Sequence, residues 1–216
     1  MGAAQAAPFG LPRMSDDLDF IHRFVPGDPA RPLLLLHGTG GDENDLIPLA
    51  ERVAPGATLL SPRGKSIEHG MARFFRRSPD GVWDLDDFKI ATADVVAFVT
   101  KACAVYGIGK PVALGYSNGG NVAWSLLLKE PSLLAGAVIL RAMLPFDPRP
   151  LPALNGLPVL LITGEYDELI PVERAGMLAA MLQDAGAKLD HHVLRAGHGL
   201  TGEDLVLVTQ WFANRR

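Results

Sequence analysis

Residues 112–127, VALGYSNGGNVAWSLL, decide the reading of this chain. The run VALGY has the small apolar make-up of a buried strand, and NVAWSLLLKE begins a helical pattern at once. Between them Ser117 stands in Gly115-Tyr116-Ser117-Asn118-Gly119. A strand that turns this tightly into a helix leaves no space for side chains at the flanking positions, and Gly115 and Gly119 supply the space. The serine oxygen is thereby pushed out above the sheet edge, where the unpaired N–H groups of the new helix can face an anion. A serine between glycines is weak evidence alone; the strand before it and the helix after it give it meaning.

Outward from this point the chain alternates between the two kinds of element. Upstream, FIHRFVP reads as an edge strand, PLLLLHG as a strand buried on both faces, DLIPLAERV as a short helix and ATLLSP as another buried strand. Residues 63–86 carry Gly, Pro and arginines without a period and read as a long loop. A helix capped by Asp86 or Asp87 should follow and stop at Gly107. Downstream, LAGAVIL and LPVLLITG read as strands separated by a Pro-rich loop over 143–158. PVERAGMLAAMLQDAGA is an amphipathic helix, KLDHHVL a last strand and EDLVLVTQWFANRR a closing helix. This order predicts an α/β fold: a mostly parallel twisted sheet with helices on both faces and no large cap domain. Residues 1–14 read as a flexible leader and 15–216 as one domain.

Composition narrows the function classes. The 216 residues are 48% hydrophobic and 20% charged, with a formal net charge of −4. That suits one sizeable core and gives no basic footprint for nucleic acid. The longest apolar runs are too short to span a bilayer. The start, MGAAQAAPFGLPRM, lacks the basic-then-apolar order of a signal peptide, and Ala6 sits where myristoylation needs Ser or Thr. Cys103 is the one cysteine, so no intrachain disulfide is expected. A cytoplasmic location follows as the expectation.

A serine hydroxyl needs a base. In open α/β sheets the loops at the carboxyl ends of strands hold the site. His198 lies in such a loop, RAGHGLTGED, between the last strand and the last helix. His191 and His192 are adjacent in a strand pattern and point to opposite faces. A carboxylate should orient the imidazole; Asp167 in GEYDELIP emerges at the preceding strand's carboxyl end, with Glu165 and Glu168 as rivals. For the oxyanion, one backbone N–H should come from Asn118 and another from Thr39 in the glycine-rich loop HGTGGDEND. That loop lacks the Lys-Ser or Lys-Thr pair of a phosphate cradle and the spacing of a helix-loop-helix calcium site.

Four stretches, LLLLHGTGGDENDLIPLA, GYSNGGNVA, GEYDELIP and GHGL, together resemble the phospholipase/carboxylesterase group of α/β-hydrolases, in that group's order and over about residues 32–216. SPRGKSIEHGMARFFRR and ILRAMLP resemble a bacterial subgroup of small esterases, some linked to hydroquinone metabolism. The resemblance implies a serine carboxylesterase acting on small esters through an acyl-enzyme, with Ser117 as nucleophile, Asp167 as orienting acid, His198 as base, and Thr39 and Asn118 at the oxyanion hole. Asn118 departs from the glutamine of better-known members, which leaves its backbone N–H unchanged. No cofactor or metal is expected: non-haem iron needs two histidines and a carboxylate converging on one ion, and His191 and His192 point apart. Thioester or lysophospholipid hydrolysis uses the same chemistry, and a ligand-binding homologue without turnover is the non-enzymatic alternative.

The two long loops are the only segments available to overhang the site. Phe74, Phe75, Trp83, Met143 and Leu144 are the apolar candidates for a substrate pocket. Arg63 and Arg141 follow strands that exit toward the site, and at least one is expected to face it and favour substrates with an acidic group. Arg73, Arg76 and Arg77 are expected to be solvated. A small-molecule ester substrate and a homodimer are the expected partners, with neither nucleic acid nor membrane.

Overall fold

The computed structural model describes residues 18–76 and 83–215. Seven strands form one sheet in the order β1-β3-β2-β6-β7-β8-β9. They are β1 (His22–Val25), β2 (Asp28–Leu36), β3 (Ala57–Pro62), β6 (Val112–Tyr116), β7 (Gly136–Leu140), β8 (Pro158–Gly164) and β9 (Lys188–Leu194). Within this sheet, among the described residues, only the edge strand β1 runs antiparallel to its neighbour and the other pairings are parallel. The helices are α1 (Ile47–Val53), α2 (Leu85–Tyr106), α3 (Asn118–Lys129), α4 (Val172–Asp184) and α5 (Gly202–Ala213). The α/β architecture with a mostly parallel sheet is therefore as the sequence pattern predicted.

The period of two in the strands sorts the core into two layers. Leu34, Leu36, Ala137, Ile139, Val159 and Leu161 face the layer that contains Trp124 of α3 and Leu178 of α4. Leu33, Leu35, Val138, Leu140, Leu160 and Ile162 face the layer closed by Ala50 of α1 and Trp211 of α5. Strands buried on both faces cannot show alternating polarity, which is why they read as unbroken apolar runs.

Two details differ from the sequence reading. The 63–86 segment is not wholly irregular: β4 (Ser66–Glu68) and β5 (Met71–Arg73) pair as a small antiparallel hairpin. Its strands are only three residues each, too short for a periodic signal. Helix α2 starts two or three residues earlier than expected, because Asp84 is the cap and accepts from the Asp87 N–H at 3.0 Å. The proposed leader and Arg77 lie outside the described residues. Among the described residues, no helix is long and apolar enough to cross a membrane.

The sheet order locates the site. From β2 the chain moves to β3 on one side, then returns past β2 to β6 and continues the other way. The loops after β2 and β6 consequently diverge and open a crevice at the strands' carboxyl ends.

Candidate active site

Ser117 sits at the apex between β6 and α3 with φ 53° and ψ −115°. A non-glycine residue held there costs about 1–3 kcal/mol, so the surroundings must fix it. They do so through the Ser117 N–H, which donates to the Leu140 carbonyl at 2.9 Å, and the Ser117 carbonyl, which accepts from Asn121 at 3.0 Å. The glycines act as predicted. A Cβ on Gly119 would lie 2.0 Å from the Leu36 carbonyl oxygen, and one on Gly115 would lie 2.4 Å from the Gly119 oxygen.

Three elements converge on the hydroxyl. His198, in the loop between β9 and α5, brings Nε2 to 2.9 Å from Ser117 Oγ. Its Nδ1 is 2.8 Å from Asp167 Oδ2 and 3.1 Å from Oδ1. Asp167 follows β8, and the Leu169 and Ile170 N–H groups both donate to its Oδ1 at 2.9 Å. These donors fix the carboxylate plane and stabilise its charge. A carboxylate only accepts, so Nδ1 carries the proton and Nε2 is left to accept from the serine hydroxyl. Glu165 and Glu168 are not in this arrangement: Glu165 faces Arg195 at 3.9 Å. His191 and His192 are elsewhere as well, His191 near the Thr163 hydroxyl at 3.3 Å and His192 paired with Asp190 at 2.9 Å.

The narrow cleft over Ser117, about 20 Å³, is lined by Thr39, Arg73, Phe75, Trp83, Asn118, Asn121, Met143, Leu169, Ile170 and His198. Asn118 opens α3, so its N–H has no acceptor within the helix. Two asparagines of this first turn anchor the overhanging loops. Asn118 Oδ1 accepts from the Phe74 N–H at 2.8 Å and Asn121 Oδ1 from the Met143 N–H at 3.0 Å. The sequence reading missed Asn121, because a mid-motif amide gives no sign of what it will hold. A roomier recess of about 300 Å³ lies at the strands' opposite ends, lined by Leu33, Val112 and Phe212 among others. It holds no nucleophile and base, so chemistry rather than size marks the site.

The loop after β2 is shaped by His37, which is buried. Its Nε2 accepts from the Gly64 N–H at 2.9 Å and its Nδ1 lies 2.7 Å from the Gly38 carbonyl. An Nε2 that accepts requires Nδ1 to donate, so the ring is neutral in this arrangement. Burial pushes the imidazole below its ordinary value, against the hydrogen bond that Nδ1–H donates to the Gly38 carbonyl and the weaker pull of Asp45, Asp42 and Glu43.

Several pocket expectations need correction. Phe74 is buried against the His37 ring at 4.8 Å and Leu144 lies in the core, so neither lines the cleft, whereas Phe75, Trp83 and Met143 do. Arg141 does not line the cleft. It is fully buried, and its guanidinium grips Asp204 of α5 at 2.8 and 2.9 Å. A charge placed under the sheet edge needs a buried counter-charge, and Asp204 supplies it from 63 residues away, beyond the reach of local pattern. Arg63 points to Glu43, with contacts of 2.5 and 2.8 Å, and to Asp42 at 3.8 Å, and it does not line the cleft. Among the described residues, the arginine that does line it is Arg73, expected to be solvated but buried here, with Glu68 at 2.9 Å.

With this geometry in view, the class is clear. Residues 25–214 match the family model described as phospholipase/carboxylesterase, and the chain belongs to that family. It is 38% identical over 193 residues to MhqD of Bacillus subtilis (strain 168), named as a hydrolase, covering 88% of this chain and 96% of that one. It superposes on the Bacillus cereus carboxylesterase with a TM-score of 0.88 at 36% identity, over 93% of this chain and 96% of that one. A carboxylesterase from Mesorhizobium loti gives a TM-score of 0.85 at 34% identity, over 92% and 97%. The fold is accordingly that of the α/β-hydrolases.

Proposed function

We propose that the protein is a serine carboxylesterase that hydrolyses small carboxylic esters. The observation that carries this reading is the unbroken run of contacts from Asp167 through His198 to Ser117, 2.8 and 2.9 Å, at the carboxyl edge of the sheet. Ser117 Oγ attacks the ester carbonyl carbon while its proton passes to His198 Nε2. The carbonyl oxygen becomes an oxyanion and is met by the backbone N–H groups of Asn118 and Thr39. As the tetrahedral species collapses, the C–O bond to the leaving alcohol breaks and Nε2 returns the proton to that oxygen. A water then gives a proton to Nε2 and attacks the acyl carbon. Collapse frees the acid, and Ser117 recovers its proton. Asp167 stabilises the imidazolium formed in each half and keeps Nδ1–H in place.

The apolar walls of the cleft, Phe75, Trp83, Met143, Leu169 and Ile170, suit a small apolar acyl or alcohol group. The buried Arg73 takes over the role expected of Arg63 or Arg141, favouring substrates with an acidic group beyond the scissile ester. The reading carries a cytoplasmic location and a homodimer, read by fractionation and light scattering.

A fluorophosphonate probe tests the mechanism. It should add to Ser117, and Ser117→Ala should abolish both labelling and at least about a thousandfold of kcat on p-nitrophenyl acetate. An unlabelled wild-type protein would instead indicate a ligand-binding homologue. Esters graded by chain length then define the pocket.

A further inference from the structure

We propose that Arg141 is a positioning residue that holds His198 in line with Ser117; the proposal rests on the serine-esterase reading. The loop carrying His198 runs from the end of β9 to the start of α5 and has a glycine on each side of the histidine, Gly197 and Gly199. Glycines give such a loop the widest choice of backbone conformations, the opposite of what an aligned base needs.

The structure answers with hydrogen bonds to three consecutive carbonyls. Arg141 Nε donates to the Gly197 carbonyl at 2.9 Å and Nη2 to the Gly199 carbonyl at 3.3 Å. The Tyr116 hydroxyl donates to the carbonyl of His198 itself at 3.1 Å. One guanidinium thus straddles the histidine, and the residue next to the nucleophile holds the middle. The rest of the guanidinium is fixed as well. Nη1 and Nη2 meet the two oxygens of Asp204, and Nη1 also lies 3.4 Å from the Ile162 carbonyl.

Asp204 extends the clamp to the far end of the loop, accepting from the Thr201 N–H at 2.7 Å and hydroxyl at 2.8 Å where α5 begins. The near end is equally tied to the nucleophile: Arg141 follows Leu140, whose carbonyl accepts from the Ser117 N–H. The Arg141 backbone holds φ 54°, rare for a residue with a side chain, and its own N–H donates to Ile162 at 3.0 Å. A planar fork with five donors can span Gly197, Gly199 and Asp204 together, which a lysine ammonium cannot.

The test must separate alignment from simple stability, since breaking a buried pair on one side harms folding. The double variant Arg141→Met/Asp204→Asn removes both charges and retains an acceptor for Thr201. Near-UV circular dichroism and thermal melting report the fold. Kinetics on p-nitrophenyl acetate and the NMR ring signals of His198 report alignment. The expected result is a cooperative native fold with kcat reduced about 10- to 100-fold, KM changed less than about threefold, and His198 signals shifted or broadened. The single variant Arg141→Lys should keep the pairing with Asp204 and still show the loss of kcat, and it decides the question if the double variant does not fold. A folded variant with kcat within about threefold of wild type and unchanged His198 signals would overturn the proposal. Failure of the esterase reading is seen separately, as no fluorophosphonate labelling of the wild-type protein, and the NMR readout still applies in that case.

Discussion

Two arginines leave parallel strands toward the same edge of the sheet and end in opposite situations. Arg63, after β3, lies over Glu43 and Asp42 with its side chain about a third exposed (36%). Arg141, after β7, has no exposure and is enclosed by Asp204 and loop carbonyls. An exposed pair gains little because water screens it and both side chains lose freedom. A buried pair is costly to assemble and more costly to break, because removing one partner leaves an uncompensated charge. The difference extends to the loops they serve. The loop after β2 is fixed by a neutral imidazole between two backbone groups, with the cation outside. The loop with His198 is fixed by the cation itself.

The largest effect separating the two sides should come from Asp204→Ala. It leaves the Arg141 guanidinium buried without its carboxylate and also removes the acceptor at the start of α5. A loss of about 3–5 kcal/mol is expected from denaturant unfolding. A loss under about 1 kcal/mol would make the buried pair no more important than a surface one and break the contrast.

A smaller effect is expected from acid on the other loop. Burial depresses the His37 imidazole below 6.5, and burial acts on His191 in the same direction. The unfolded chain therefore takes up protons near pH 6.5 that the folded chain does not. The stability contributed by neutral His37 is complete above that value and is lost as pH falls toward the folded-state value. Melting temperature should drop between about pH 7.5 and 5, and His37→Gln should make that drop shallower. An unchanged slope in the variant would assign the acid sensitivity to other groups.

The smallest effect belongs to Arg63→Met, which should leave both melting temperature and ester preference nearly unchanged. Arg73→Met is the matched measurement, because Arg73 lines the cleft and Arg63 does not. Its kcat/KM for an ester with a free carboxylate should fall about threefold or more relative to a neutral ester. If Arg63 produced the selective loss and Arg73 none, the assignment of the acidic subsite to Arg73 would be wrong.

The sequence by itself determined the sheet, the helices and the sharp turn at Ser117, because each rests on local chemistry. Apolar runs such as PLLLLHG report burial on two faces, and Gly115 and Gly119 report a backbone approach that no side chain survives. The placing of Ser117, Asp167 and His198 after three strands of one parallel sheet was legible for the same reason: parallel topology brings carboxyl ends to one edge. What only the tertiary structure decided was the use of each long polar side chain. In sequence Arg63 and Arg141 follow strands that lead to the site and Arg73 lies within a loop, yet Arg73 is the one of the three that lines the cleft. Their fates depend on Glu43, Glu68 and Asp204, which are 20, 5 and 63 residues away and reach them through packing. A long, flexible cation takes the partner that the fold brings within reach, in the interior for Arg141 and near the surface for Arg63, and such a pairing leaves no periodic trace in the chain.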